Sequence, residues 1–391
     1  MKILLTSSFY PPYHVGGADT MVKYFAEQLV KEGHEVHVLF TLDGYRLKRP
    51  YSEKETDYKG VNVHALSSPI GKLEPVLNYS VTTQNHTLDG FKKLVEKEGF
   101  DVVHHHNISL LGYAVLKKFA KYRNFYTAHD FWLVCPKYDL YKFGKICERK
   151  ICLACAPLHG KPYPLYRVFP DFRGTIKKDV DGIIAPSAYM KERVTREFDN
   201  EIEVIYNFVP EPPKKIDQPK EKNYFLFVGQ LERHKGILQL IDPFKGTSHR
   251  LLIFGKGSLE AAVKNKIENE KISNVNYKGW ASTPAEILGF MKNANALIMP
   301  SLWAENNPMV ALEAFSVGTP VIGTKNGGLP EIIGMVDEKL FFDSKNFGQL
   351  RGLLNAFNGK RYPKAKLRSV WREKFSWQAH KKGLERASYF G

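Results

Sequence analysis

Two acids stand eight positions apart, Glu305 and Glu313, in a stretch that runs from Pro300 to Glu313. Between them Asn307 and Pro308 read as a helix start, since asparagine caps helices and proline suits a first turn. The N–H groups of Met309 and Val310 at such a start lack intrahelical partners. Together with the positive end of the helix macrodipole they can hold phosphate. Glu305 then lies on the loop before the helix and Glu313 in its second turn, so the two carboxylates can meet opposite ends of one ligand. A ligand with a diphosphate at its centre and hydroxyls at both ends, a nucleotide sugar, fits this set.

The spacing Glu305-x7-Glu313 after an apolar strand, followed by Ala314-Phe315-Ser316-Val317-Gly318-Thr319-Pro320-Val321-Ile322, resembles the signature of the retaining glycosyltransferases of the GT-B fold, group 4 (group 1-type). The resemblance implies that Glu305 contacts the donor sugar's hydroxyls, Glu313 holds the nucleotide ribose, and the Met309 and Val310 amides carry the pyrophosphate. Asn307-Pro308 stand where that family often has Phe-Gly, and Asn307 is taken as a donor-side contact. The family's Gly-Arg followed by Lys-Gly appears as Gly229-Gln230 and Lys235-Gly236. Lys235 matches, Gln230 replaces the arginine with an uncharged donor, and Arg233 is the substitute cation. Gly257, in Gly255-Lys256-Gly257, and Trp280, after Gly279, fall at donor-side positions, the latter where the family's backbone reads the base. His129 matches the strand-end histidine that shapes the reaction centre. Gly16 and Gly17 resemble the family's N-terminal phosphate or acceptor loop. The implied enzyme is a hexosyl-type transferase that needs no divalent metal for catalysis.

These residues need strands to carry them. Lys2 to Thr6 is a buried-type strand, followed by the irregular loop Ser7 to Pro12, then Gly16-Gly17 and an amphipathic helix 18–32 closed by Gly33. A strand 35–40 follows, which makes a β-α-β opening. The paired glycines let backbone approach a ligand. A dinucleotide-binding fold would instead place G-x-G-x-x-G directly after the first strand, where this chain has Tyr10-Pro11-Pro12; Asp43 after the second strand is what such a fold would share. Further strands are predicted over 61–66, 100–104, 124–128 and 182–185, with helices over 84–97 and 188–197. His104 and His106 share a strand face; acceptor-side contact is the preferred reading over metal. Asp179-Val180-Asp181 spells D-x-D but precedes a buried strand and reads as a turn. Proline and charge cluster over 209–222, a linker between a first domain, 1–208, and a second, 223–367. The second domain repeats the pattern with strands 224–228, 251–254, 274–278 and 294–299. The resemblance implies that the tail, 368–391, is a helix returning to the first domain. The fold class is thus α/β, two Rossmann-like domains facing across a cleft.

All four cysteines, Cys135, Cys147, Cys152 and Cys155, fall in one excursion, with the Cys152-x2-Cys155 spacing of a metal knuckle. A structural zinc on four thiolates is the leading expectation; an iron–sulfur cluster, two disulfides or free thiols are the alternatives. Lys137, Lys142, Lys145, Arg149 and Lys150 alternate there with Tyr138, Tyr141 and Phe143, as in an acceptor or membrane-surface element.

The chain has 391 residues, 43% hydrophobic and 25% charged, ordinary for folded domains, and a formal net charge of +16. The charge favours anionic partners: a UDP- or GDP-sugar donor, or an anionic membrane surface that presents a glycan or lipid-linked acceptor. Nucleic acid is not expected, because the cations are scattered. No run of eighteen apolar residues occurs and the start is too short for a signal-peptide core, so a cytoplasmic protein is expected, peripheral on the inner face of the membrane. A nucleotide-sugar-binding protein without turnover, or a basic nucleic-acid-binding protein, are the rival classes.

Overall fold

The computed structural model describes residues 1–52, 56–81, 88–89, 91, 99–148 and 152–391. The helix predicted over 84–97 lies largely outside these residues, as do Arg149 and Lys150.

Two compact units are formed. One comprises Met1–Asp139, Arg149–Ile205 and Lys382–Gly391, the other Leu140–Glu148 and Tyr206–Lys381. The first unit is built on strands β1 (Lys2–Thr6), β2 (Glu35–Thr41), β3 (Asn62–Leu66), β4 (Val102–His105) and β5 (Arg123–Thr127). A short antiparallel hairpin, β6 (Tyr141–Lys142) and β7 (Lys145–Ile146), interrupts the series and groups with the second unit. The first sheet closes with β8 (Gly182–Ala185) and β9 (Ile202–Val204), in the order β3-β2-β1-β4-β5-β8-β9, every pair parallel. The second unit carries β10 (Tyr224–Val228), β11 (Arg250–Phe254), β12 (Val275–Gly279), β13 (Leu297–Met299), β14 (Val321–Thr324) and β15 (Phe341–Phe342), in the order β12-β11-β10-β13-β14-β15, again all parallel. Runs such as Ile3-Leu4-Leu5 and Leu251-Leu252-Ile253 are fully buried, as strands covered on both faces by crossover helices must be.

Both sheets are therefore doubly wound and Rossmann-like, as expected. In each, the chain starts in the middle, runs to one edge and returns to build the other. The strands beside the reversal, β1 and β4 in the first unit and β10 and β13 in the second, send their connections in opposite directions, and the crevice at their carboxyl ends is where such sheets bind ligands.

The D-x-D is structural. Asn124 N–H donates to the Asp181 carboxylate at 2.6 Å, and the Asn124 side-chain amide donates to the Asp179 carbonyl at 2.6 Å, which ties β5 to the turn before β8.

The final helix, Trp377–Arg386, hands the chain back, since Lys382–Gly391 belongs to the first unit. Gly383 permits this: a Cβ there would meet the Ile205 side chain at 2.7 Å. Tyr389 is fully buried. Its ring packs against Phe125 at 4.9 Å and Phe25 at 6.1 Å, and its hydroxyl lies 3.2 Å from His104 Nδ1. Tyr389→Ala is expected to destabilise the first unit by about 3–5 kcal/mol, the usual cost of emptying an aromatic core position. Denaturant unfolding checks this, and a loss under about 1 kcal/mol would show that the tail does not seal this core.

Candidate active site

In the second unit the loops after β10 and β13 are stitched together at the reversal. The first, Gly229 to Gly236, ends in one 3-10 turn, Arg233–Lys235, and Gly236 adopts a left-handed φ of 69°. A side chain at Gly236 would put its Cβ 2.1 Å from the Pro300 carbonyl, so glycine is required by both conformation and proximity. Leu302 N–H donates to the His234 carbonyl at 2.8 Å. This backbone contact brings the half-buried Lys235 Nζ to 2.7 Å from Oε1 of the buried Glu305, an ion pair completed by the Ser301 hydroxyl, which donates to the same oxygen at 2.5 Å. Burial alone would push the Glu305 carboxyl up. The Lys235 ammonium and the hydrogen bonds from Lys235 and Ser301 outweigh it and hold the group below the ordinary carboxylate range. The Lys235 ammonium also lies 4.6 Å from the centre of the Trp303 ring. From β14, Thr324 and Asn326 donate to the Ser301 carbonyl, each at 2.8 Å, and Gly328 N–H donates to the Glu305 carbonyl at 2.6 Å.

The helix after this loop spans Met309–Val317 and starts one residue later than predicted. Pro308 occupies the N-cap position in extended conformation, and no side chain caps the helix. The expected Asn307 cap is not formed. Asn207 N–H donates to Asn307 Oδ1 at 2.9 Å, and the Asn207 side chain donates to the Asn307 carbonyl at 3.0 Å, so this pairing takes the asparagine away from the helix end. The buried Asn307 Nδ2 has no hydrogen-bond acceptor among the described residues. The first-turn amides, those of Met309 and Val310 included, thus stand without a competing side-chain oxygen. Glu313 is half-buried one turn further on, and burial pushes its carboxyl up to about 7.

Around this centre Arg233 is exposed and makes no ion pair among the described residues, whereas Gln230 is half-buried. Gly257 has a packing reason for its type: a Cβ there would lie 2.5 Å from the Leu231 carbonyl oxygen, so this glycine presses the β11 loop onto the β10 loop. Trp280, after the left-handed Gly279 at the end of β12, exposes 64% of its surface.

The first unit gathers a different set at its own reversal. Gly16 and Gly17 begin the helix Gly17–Lys31, but the buried Asp19 carboxylate already accepts from Val15 N–H at 2.9 Å and Gly16 N–H at 3.0 Å. Burial raises this acid to about 6 despite those two bonds. The helix start therefore carries its own anion. His104 and His106 do share a strand face, with rings stacked at 4.2 Å, and His106 Nδ1 meets His129 Nε2 at 2.9 Å. His104 is a core residue, its Nε2 2.7 Å from the Thr127 hydroxyl, and burial lowers His105 to about 3, which keeps it neutral. Beside His129, burial raises Asp130 to about 6.

The closed zinc shell is not assembled. Among the described residues no three or more His, Cys, Asp or Glu side chains gather as a metal site, and Cys135, Cys147, Cys152 and Cys155 are half-buried thiols. Cys152 and Cys155 ride one short helix, Cys152–Leu158, where the Cys155 thiol lies 3.9 Å from His159 Nδ1. Cys147 follows the β6–β7 hairpin, in the segment that groups with the second unit. The knuckle spacing was spent on a helical turn rather than on a loop that could curl around an ion.

Ser301, Trp303, Asn207 and Asp19 were not singled out from sequence. Asp19, three residues after the helix N-cap, sits where a capping carboxylate is expected, a signal that was there to be read. Removing Lys235 leaves Glu305 buried and uncompensated, so Lys235→Met is expected to cost about 3 kcal/mol of stability. The double variant Lys235→Met/Glu305→Gln should recover most of that loss in denaturant unfolding; additive losses would show that the two groups are uncoupled.

Comparison with known proteins identifies the family and the fold. The profile of the family Glycosyltransferase Family 4 matches residues 15–211, and that of Glycosyl transferases group 1 matches residues 209–374. An uncharacterized glycosyltransferase of Methanocaldococcus jannaschii is 26% identical over 393 residues, covering 97% of this chain and 95% of that protein. Among solved structures, a sucrose-phosphate synthase from Thermosynechococcus elongatus superposes with a TM-score of 0.73 at 18% identity, covering 100% of this chain and 98% of that one. The Anabaena protein HepE, in complex with UDP-glucose, gives 0.65 at 14% identity, with 100% of both chains covered. The chain belongs to the group 1, family 4 glycosyltransferases and has their GT-B-type pair of Rossmann-like units.

Proposed function

We propose that this protein transfers a sugar from a nucleotide-sugar donor to an acceptor hydroxyl with retention of anomeric configuration and without a catalytic divalent metal. The observation that carries the reading is the Lys235–Glu305 pair beside the uncapped start of the helix Met309–Val317. A diphosphate laid on the Met309 and Val310 amides meets a helix dipole of the right sign, with Arg233 and Lys235 as the cations within its loop system. As Lys235 turns from Glu305 to the diphosphate, Glu305 is freed to accept from the sugar's hydroxyls. Charge that develops on the leaving diphosphate is met by fixed donors, each of which is worth about 10²- to 10³-fold in kcat at comparable sites. Glu313 takes the ribose diol, and Trp280 and Gly257 border the base side. His129 serves the acceptor in the first unit. Retention is the course that the Glu305-x7-Glu313 resemblance implies, and the UDP-glucose complex of HepE supports a UDP-sugar as the first donor to try.

A thermal-shift panel of UDP- and GDP-sugars, followed by nucleoside diphosphate release and the anomeric coupling of the product by NMR, tests the proposal. A donor at a hundred times its Kd should stabilise the protein by about 2.7 kcal/mol. No stabilisation by any nucleotide sugar and no release would reject the reading. Glu305→Gln should lower transfer about 10²- to 10³-fold, while nucleoside diphosphate binding is kept or tightened because Lys235 is released.

Glu313 gives the pH dependence a sign. Its free carboxyl titrates near 7, raised by burial, and ribose hydroxyls donate more strongly to the ionised form. The complex therefore favours the carboxylate, a proton leaves on binding, and affinity rises with pH through 7. Between pH 6 and 8 the affinity for the nucleoside alone should rise about three- to tenfold, since one pKa unit corresponds to a factor of ten. Glu313→Gln should abolish the slope; a slope that survives the substitution belongs to another group.

A further inference from the structure

The first unit exposes large apolar side chains in a pattern that its own packing does not explain. The helix Leu73–Ser80 is turned inside out. Leu73 is 65% exposed, and Val76 and Leu77, which share its face by the i, i+3, i+4 rule, are exposed too. Glu74 and Asn78 point inward, at 1% and 2% exposure. Tyr79, also inward, donates to the Pro136 carbonyl at 2.5 Å. That contact anchors the helix to the segment where Arg167 donates to the Leu133 carbonyl at 3.1 Å and Lys161 to the Lys137 carbonyl at 3.3 Å. The stretch that carries Lys161 and Arg167 is exposed as well, with Leu158 at 70% and Phe169 at 62%, beside Leu165 and Val168. Water does not select such a surface in a free-standing domain.

The exposed charge on Leu73–Ser80 and its neighbouring helix has one sign, and the exposed Asp171 near Phe169 is paired with Lys117 at 2.6 Å. The helix Leu42–Lys48 packs beside Leu73–Ser80, and Lys48, Arg49 and Lys72 are exposed. The acids of these elements are sunk: Glu74 is buried, and Asp43 is buried, paired with Arg46 at 3.1 Å and accepting from Ser68 N–H at 2.6 Å. A second copy of a chain with net charge +16 would bring like charges together on this face, which opposes self-association. Apolar side chains among unopposed cations match the boundary of an anionic bilayer, where leucine and phenylalanine enter the acyl edge and lysine and arginine meet phosphates. No helix among the described residues is long and apolar enough to cross a membrane, so the contact would be interfacial.

We infer that the exposed face of Leu73–Ser80, with Leu158, Leu165, Val168 and Phe169, docks the first unit on an anionic lipid surface. This stands independently of the sugar-transfer reading, because the readout is partition and not turnover. The full chain is mixed with vesicles of phosphatidylcholine alone or phosphatidylcholine with phosphatidylglycerol, and bound protein is measured by flotation. Binding is expected to the anionic vesicles only and should weaken as salt is raised from about 0.05 to 0.5 M, where the Debye length falls from about 14 to 4 Å. The apolar variant Leu73→Ser/Leu77→Ser/Phe169→Ser and the cationic variant Lys48→Gln/Arg49→Gln/Lys72→Gln should each bind at least tenfold more weakly, with unfolding midpoints and donor-induced stabilisation kept. Failure of the wild type to bind anionic vesicles would overturn the inference, as would binding insensitive to both variants. A dimer in solution that the apolar variant dissociates would also overturn it, by assigning the face to a second copy.

Discussion

The second unit turns on one ion pair, between a buried carboxylate and a half-buried ammonium. Lys235 and Glu305 lie 70 positions apart in sequence, on loops that follow different strands, and meet at 2.7 Å with a serine hydroxyl on the same carboxylate oxygen. Burying two charges is costly unless geometry and extra hydrogen bonds compensate, and a pair so placed is weak as a stability device. Its value is positional. It holds the one strongly anchored cation beside the helix start and the one buried acid of that loop in a state that an incoming diphosphate can exchange. In the proposed reaction an anion that competes for Lys235 would free Glu305 at the same moment, so that donor binding and exposure of this acid would become one event.

The pair exists because the sheet reverses there. Strand order β12-β11-β10-β13-β14-β15 sets β10 and β13 side by side with their connections leaving in opposite directions. Gly236 lets the first loop come into contact with Pro300, and the His234–Leu302 hydrogen bond fixes the register between loops. The first unit uses the same topology for another chemistry. Its reversal is lined by Asp19, His106 and His129, and its helix start already carries a carboxylate, so it is a poor place for a second phosphate and a better one for neutral hydroxyls.

Much of this was legible in the sequence, for identifiable reasons. Buried parallel strands show as unbroken apolar runs, and a helix start after such a strand, with an acid on each side, limits what it can bind; Glu305, Glu313 and the Met309–Val310 amides were singled out on that ground, and Lys235 on the family resemblance. Long-range choices were not legible. Asn307 satisfies every local rule for a cap, and only the fold brings Asn207 to claim it. The four cysteines satisfy the spacing rule for zinc, but spacing says nothing about whether the chain closes around an ion, and here Cys152 and Cys155 lie on a helix. The helix Leu73–Ser80 was not foreseen, and its inversion could not be, because periodicity reports that a helix has two faces and not which of them looks inward.

The claim at the centre is that Lys235 exchanges Glu305 for a diphosphate. A crystal structure of the protein with a bound nucleoside diphosphate tests it most directly. The account predicts phosphate oxygens within about 2.7–3.2 Å of the Met309 and Val310 amides and of Lys235 Nζ, with the Lys235–Glu305 distance opened beyond hydrogen-bond reach. A nucleotide bound away from this helix start, or bound there with the 2.7 Å pair intact, would contradict it.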